Sequence, residues 1–327
     1  MAEPCCARDL AGPVFERGCR MSNKALTTAL MQAEALLASG LLKFLTWLGP
    51  STASNVAGGV CRFVGPKLPV SGVAYRNLEL AMPELTQHQR RQIVHGVWEN
   101  LGRTVGELPH IAALQENTPS GPGFEVQGAE YLEEQARKGG SVLFVSGHIG
   151  NWEMLPPGVA RHGTPFASFY RAAGNPLIDG MIRRLRDKAM GNTPVPLFAK
   201  GARGAREALS YVSKGGRLGM LVDQKMNDGI EVSFFGRPAM TAPALAAMAL
   251  RYRCPVIPGY VERLGPARLR IVVEPPLDLP DTGDRKQDLH TLAQMINDRL
   301  ETWIRRKPES WLWLHRRWPK ELYKRKA

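Results

Sequence analysis

The sequence predicts an α/β fold, a sheet covered by helices and preceded by a helical amino-terminal region. Three observations carry that expectation. Short apolar runs bounded by glycine, such as Val142–Ser146 between Gly139-Gly140 and Gly147, have the length and composition of buried strands. From Phe124 onward such runs alternate with amphipathic stretches, the pattern of a sheet with helices on both faces. Before Phe124 the apolar residues recur at helical spacing.

The elements follow in order. Residues 1–20 hold acids and scattered cysteines with no apolar secretory core, and Met21 looks like a natural start, so 1–20 reads as a disordered extension. Residues 21–49 are apolar apart from a few polar positions. The stretch Ala35–Leu48 carries Lys43, which suits an anchor or interfacial helix, with a helix buried in the domain as the alternative. Residues 50–118 read as helical: Ile93, Val97, Leu101, Val105 and Leu108 form a stripe along Thr86–Leu108. Pro109, Pro119 and Pro122 close that region with a short linker.

Residues 119–327 form the α/β core, continuous with the helical region from about residue 50. Strands are expected at Val142–Ser146, Phe166–Tyr170, Val195–Leu197, Leu218–Val222, Val256–Val261 and Leu269–Val273. Helices are expected from Asn151, at Pro176–Met190, Ala202–Ser213 and Ala242–Tyr252, and at Leu289–Arg306.

Composition narrows the partners. The formal net charge of +13 points to anionic ones. From Arg305 to Ala327 there are nine Lys and Arg against two Asp and Glu, and four of the seven tryptophans (Trp303, Trp311, Trp313, Trp318) crowd that end. Basic residues mixed with indole rings suit an anionic membrane surface or a single-stranded nucleic acid. No helix-turn-helix, RNP or zinc-finger pattern supports nucleic acid. The five cysteines have no ligand spacing and an odd count, as unpaired thiols in a reducing compartment would.

Sites in such sheets form at the carboxyl ends of strands, which directs attention to the residues after Ser146, Tyr170 and Val222. Directly after the first of these stands Gly147-His148-Ile149-Gly150-Asn151-Trp152-Glu153. A histidine in a glycine-flanked turn, with a carboxylate five residues on that folds back to orient it, has the parts of a general base. Without further context a capping histidine and a solvated glutamate explain the same residues. The backbone N–H groups around Gly147–Asn151 are the candidates for an oxyanion hole.

Further blocks follow at graded intervals: Tyr170-Arg171 with Asn175-Pro176-Leu177-Ile178-Asp179, then Arg183-Arg184-Leu185-Arg186, Leu221-Val222-Asp223-Gln224, Phe234-Phe235-Gly236-Arg237, Pro255-Val256-Ile257-Pro258, and the ending Trp313-Leu314-His315-Arg316-Arg317. In this order, from roughly Leu26 to Trp318, they resemble the late acyltransferases of lipid A biosynthesis, the lauroyl and myristoyl transferases within the glycerolipid acyltransferase superfamily. The resemblance implies a glycerolipid-acyltransferase-like sheet at the inner membrane's cytoplasmic face. It implies transfer of a fatty acyl chain from an acyl carrier protein or coenzyme A thioester to a hydroxyl of a lipid A precursor. A lysophospholipid or another glycolipid is the alternative acceptor.

His148 would be the general base and Glu153 its orienting acid. By position in the pattern Arg186, Asp223 and Arg171 are the substrate-binding candidates: Arg186 for a phosphate, Asp223 to position Arg186 or a sugar hydroxyl, Arg171 for phosphate contact or structural pairing. His315 reads as structural. No metal and no cofactor are expected. A thioester is already activated, and no Ser or Cys sits in a nucleophile elbow.

Overall fold

The computed structural model describes residues 14–170, 172–191 and 193–323, with side chains from Ala25. Four helices come first: α1 (Val14–Leu48), α2 (Pro50–Val64), α3 (Ser71–Ala81) and α4 (Gln87–Glu107). Helix α4 starts on a capping box, Thr86 and Gln89 each bonding the other's backbone N–H. It crosses α2 with the two backbones in contact. A Cβ on Gly102 would stand 2.3 Å from the carbonyl oxygen of Ala57, and one on Gly106 2.5 Å from that of Ala53.

Helix α1 begins at Val14, inside the stretch read as an extension; residues 1–13 lie outside those described. It lays Met31, Ala35, Ala38, Leu42 and Leu45 toward the body, a stripe of alternating four- and three-residue steps. Asn175 donates to the carbonyl of Met31 at 2.8 Å and to Glu34 at 3.1 Å, and a ring nitrogen of His110 lies 3.0 Å from the carbonyl of Leu45. Ala25–Leu48 is long and apolar enough to cross a membrane by length and composition.

The core follows as β1 (Gly123–Gln127), α5 (Ala129–Lys138), β2 (Leu143–Ser146), α6 (Leu155–Arg161), β3 (Ala167–Tyr170), α7 (Pro176–Ala189), β4 (Leu197–Ala199), α8 (Ala202–Ser213), β5 (Leu218–Leu221), β6 (Ile230–Phe234), β7 (Arg237–Thr241), α9 (Ala244–Tyr252), β8 (Val256–Gly265), β9 (Arg268–Val273) and α10 (Arg285–Arg306). Seven strands make one sheet in the order β1-β9-β8-β2-β5-β3-β4, parallel except for β8 against β9. Strand β2 is buried at all four positions, as a central strand covered on both faces must be.

Hairpin β6–β7 stands apart from the sheet, and with α10 it covers the carboxyl-terminal segment. That corrects one expectation. Trp303, Trp311, Trp313 and Trp318 are at most 2% exposed, so they are core and not a membrane-facing belt. Phe234 packs against Trp311 and Trp318 at ring separations of 5.8 and 5.9 Å, and the buried guanidinium of Arg317 lies 4.8 Å from the Phe234 ring. Aromatic and basic residues give one composition whether they meet lipid or each other.

Candidate active site

The site arises from sheet register. Strands β2 and β5 pair in parallel, Leu143 opposite Leu218 and Ser146 opposite Leu221. Two residues past both strand ends, the same register sets His148 opposite Asp223. The carboxylate, 2% exposed, accepts from the imidazole Nδ1–H at 2.8 Å, from the His148 backbone N–H at 2.9 Å and from the Trp311 indole at 2.7 Å. A carboxylate only accepts, so Nδ1 carries the proton and the lone pair sits on Nε2. Histidine 148 lines a cavity of about 1240 Å³, with Asp223 behind it.

The loop that presents His148 is braced on two sides. Its carbonyl accepts from Leu312 N–H at 3.0 Å, and Gly150 N–H donates to the Ser310 carbonyl at 2.9 Å. Gly150 has φ +60°, and a Cβ there would lie 1.9 Å from the Val261 carbonyl oxygen, so only glycine fits. Asn151 donates at 2.8 Å to the fully buried Glu107, whose other oxygen accepts from Ser54, the Ala267 N–H and Arg263. One buried carboxylate thus ties α2, α4 and the β8–β9 turn to the site loop.

Burial pushes the His148 imidazole down, but the charge and hydrogen bond of Asp223 outweigh it, with help from Glu153, and the pKa lies above the ordinary histidine value. Burial would likewise raise Asp223; the charge and hydrogen bonds of His148 and the Trp311 indole hold it well below the usual carboxylate range. Tryptophan 152 and His315 stand edge-on to His148 at ring separations of 5.1 and 5.7 Å.

The orienting contact therefore belongs to Asp223, where Glu153 was expected. Glu153 lies in the short 3-10 turn Trp152–Met154, and Arg186 of α7 takes both of its oxygens, through Nε at 2.8 Å and Nη2 at 2.6 Å. Arg186 thus pairs with protein where a free phosphate binder was expected, leaving Nη1 for a substrate. Asp223 holds the histidine, and Arg186, which it was expected to position, is held by Glu153. Arg171 lies outside the described residues.

The loop N–H groups expected to form an oxyanion hole are largely spent: His148 N–H on Asp223, Ile149 N–H on the Gly147 carbonyl, Gly150 N–H on Ser310. His315, read as structural, lines the cavity. Burial and the charges of His148 and Lys200 push its pKa down against the pull of Asp223. The only sequence signal for it was its place in the ending Trp313-Leu314-His315-Arg316-Arg317. Among the described residues no group of three His, Cys, Asp or Glu side chains is placed to hold a metal.

Part of the cavity wall is apolar, formed by Ile111, Leu132, Phe144, Val159, Phe166 and Ile257. Its volume exceeds the roughly 300–1,000 Å³ of ordinary small-molecule sites. A histidine–aspartate pair beside a large, mainly apolar wall suits an enzyme that works on lipid chains. Residues 21–320 match the family model described as bacterial lipid A biosynthesis acyltransferase. The chain is 28% identical to the lipid A biosynthesis myristoyltransferase of Escherichia coli K12 over 306 residues, covering 86% of this chain and 90% of that one. It is 28% identical to the lauroyltransferase of the same strain over 255 residues, 75% and 78% of the two chains. A lipid A biosynthesis acyltransferase of Haemophilus influenzae is 24% identical over 248 residues, 74% of this chain and 73% of that one. The chain belongs to the bacterial lipid A biosynthesis acyltransferase family and is an O-acyltransferase.

Proposed function

We propose that the enzyme moves a fatty acyl chain from an acyl carrier protein thioester to a hydroxyl of a lipid A precursor, with His148 as general base. The observation that carries this reading is the Asp223–His148 pair facing an apolar cavity large enough for an acyl chain. Nε2 removes the hydroxyl proton as that oxygen attacks the thioester carbonyl. Asp223 fixes the tautomer and stabilises the imidazolium that forms. The C–S bond breaks, and the departing sulfur takes the proton from His148 and leaves as a thiol, which restores the neutral imidazole.

Glu153 acts through Arg186. The bidentate pair holds the guanidinium at the cavity wall, where Nη1 donates to a substrate oxygen. Arg171, directly after Tyr170, is kept as a further phosphate contact.

The reading places the enzyme on the cytoplasmic face of the inner membrane. On α1 the side opposite the packed stripe exposes Leu36, Leu37, Leu41, Phe44 and Trp47. That face is an apolar surface in need of lipid. The test is mass spectrometry of lipid A from cells with and without the gene, alongside transfer assays on a lipid A precursor and on a lysophospholipid. One acyl mass missing from lipid A, and transfer to the precursor alone, is the expected outcome. Unchanged lipid A with acylated lysophospholipid would refute the acceptor.

A further inference from the structure

Three cations line the cavity: Arg186, Lys200 and Lys225. Glu153 neutralises Arg186. Among the described residues neither lysine's ammonium has a hydrogen-bond or ion-pair partner. Lys200 directly follows β4, and its backbone N–H donates to the Tyr170 carbonyl at the end of β3 at 3.1 Å. Lys225 comes four residues after β5 ends. Strand β3 lies between β5 and β4, so the two strand ends stand about 10 Å apart on the edge that carries His148. Both side chains belong to the wall of the same cavity, where their flexible four-carbon stems allow the two ammonium groups to approach one anion.

The acids of the same wall do not cancel this charge. Glu153 is spent on Arg186, and the exposed Asp187 and Asp228 make no ion pair with either lysine. The positive charge of Lys200 also reaches His148 and His315, which puts it within electrostatic range of the reacting centre.

We infer that Lys200 and Lys225 form a phosphate-binding subsite at the cavity, holding the phosphate of a substrate while His148 acts on its hydroxyl or thioester. The inference rests on the acyl-transfer reading for the identity of the substrates. The phosphate then comes from one of two sources: the phosphorylated glucosamine disaccharide of the acceptor or the phosphopantetheine arm of the donor. An ammonium pair suits either, since it meets phosphate as point charges and imposes no planar geometry.

The experiment is calorimetric binding to the full chain, read without turnover. Two pairs of probes are used: a phosphorylated acyl-glucosamine disaccharide against its dephosphorylated form, and an acyl-phosphopantetheine against the acyl-pantetheine. The parent protein is expected to favour the phosphorylated member of one pair at least tenfold, and that pair names the source. Lys200→Gln with Lys225→Gln should erase the preference, whereas Lys200→Arg with Lys225→Arg should restore most of it. Equal binding within both pairs would overturn the subsite, as would a preference that survives the double glutamine substitution. Failure of the parent to transfer an acyl group in a separate assay would sink the acyl-transfer reading while leaving the phosphate preference measured.

Discussion

At the scale of single residues, the pair His148–Asp223 makes a prediction about pH. Because Asp223 raises the imidazole pKa, kcat/KM should climb with pH through a midpoint above the ordinary histidine value of about 6.5. In Asp223→Asn the limb should move to lower pH, since the raising charge is gone, while the plateau falls. A pH–rate profile checks both; an unmoved midpoint would mean that His148 does not report the base. Glu153 and Arg186 make a different prediction, because they act as one unit. Glu153→Gln and Arg186→Ala should each cut kcat/KM, and the double variant should lose little more than either alone. Additive losses in that cycle would separate the two roles. His148, Glu153, Arg186 and Asp223 were visible in the sequence, but their partnerships were not, and His315 was missed. His148 and Glu153 are neighbours in the chain, whereas Asp223 reaches His148 across 75 residues through a strand pairing that no local spacing reveals.

At the scale of elements, the loop after β2 is the most exacting piece of backbone. Gly150→Ala would force an L residue to φ +60° and drive its Cβ into the Val261 carbonyl. The strain alone costs about 1–3 kcal/mol, so the variant should melt measurably lower by calorimetry. An unchanged melting temperature would contradict the loop geometry. Elements with strong local signals were legible: α8 runs over Ala202–Ser213 as its pattern predicts, and β2 and α7 end within a residue of expectation. Strand β4 lies two residues later than predicted, because its three residues offer almost no period to read. Hairpin β6–β7 escaped notice for a physical reason. Its turn places Phe235 at φ 52° and Gly236 at φ 66°, so a phenylalanine occupies a position where Asn or Asp would have signalled the turn. Burial of the Phe235 ring, 6.1 Å from that of Trp313, offsets the strain.

At the scale of the whole molecule, the proposed function divides the work between two surfaces: the exposed apolar face of α1, proposed to meet lipid, and the strand ends, proposed to carry the chemistry. Leu37→Glu with Trp47→Glu places charges on that α1 face, 76% and 79% exposed, without touching the packed stripe. Sedimentation with anionic vesicles should drop several-fold while circular dichroism stays unchanged. Undiminished sedimentation would remove α1 from the lipid contact. The fold class and the helical amino-terminal region were legible because periodicity survives without tertiary context. The fate of the tryptophans was not, since only the covering hairpin decides whether an indole meets lipid or core. The proposed mechanism stands on His148 as the base for acyl transfer to a lipid A precursor. The most direct measurement compares the initial rate of acyl addition to that precursor, followed by mass spectrometry, in the parent enzyme and in folded His148→Ala. The predicted result is one added acyl mass in the parent and a rate lower by about 10²–10⁴-fold in the variant. A His148→Ala rate close to the parent's would contradict it.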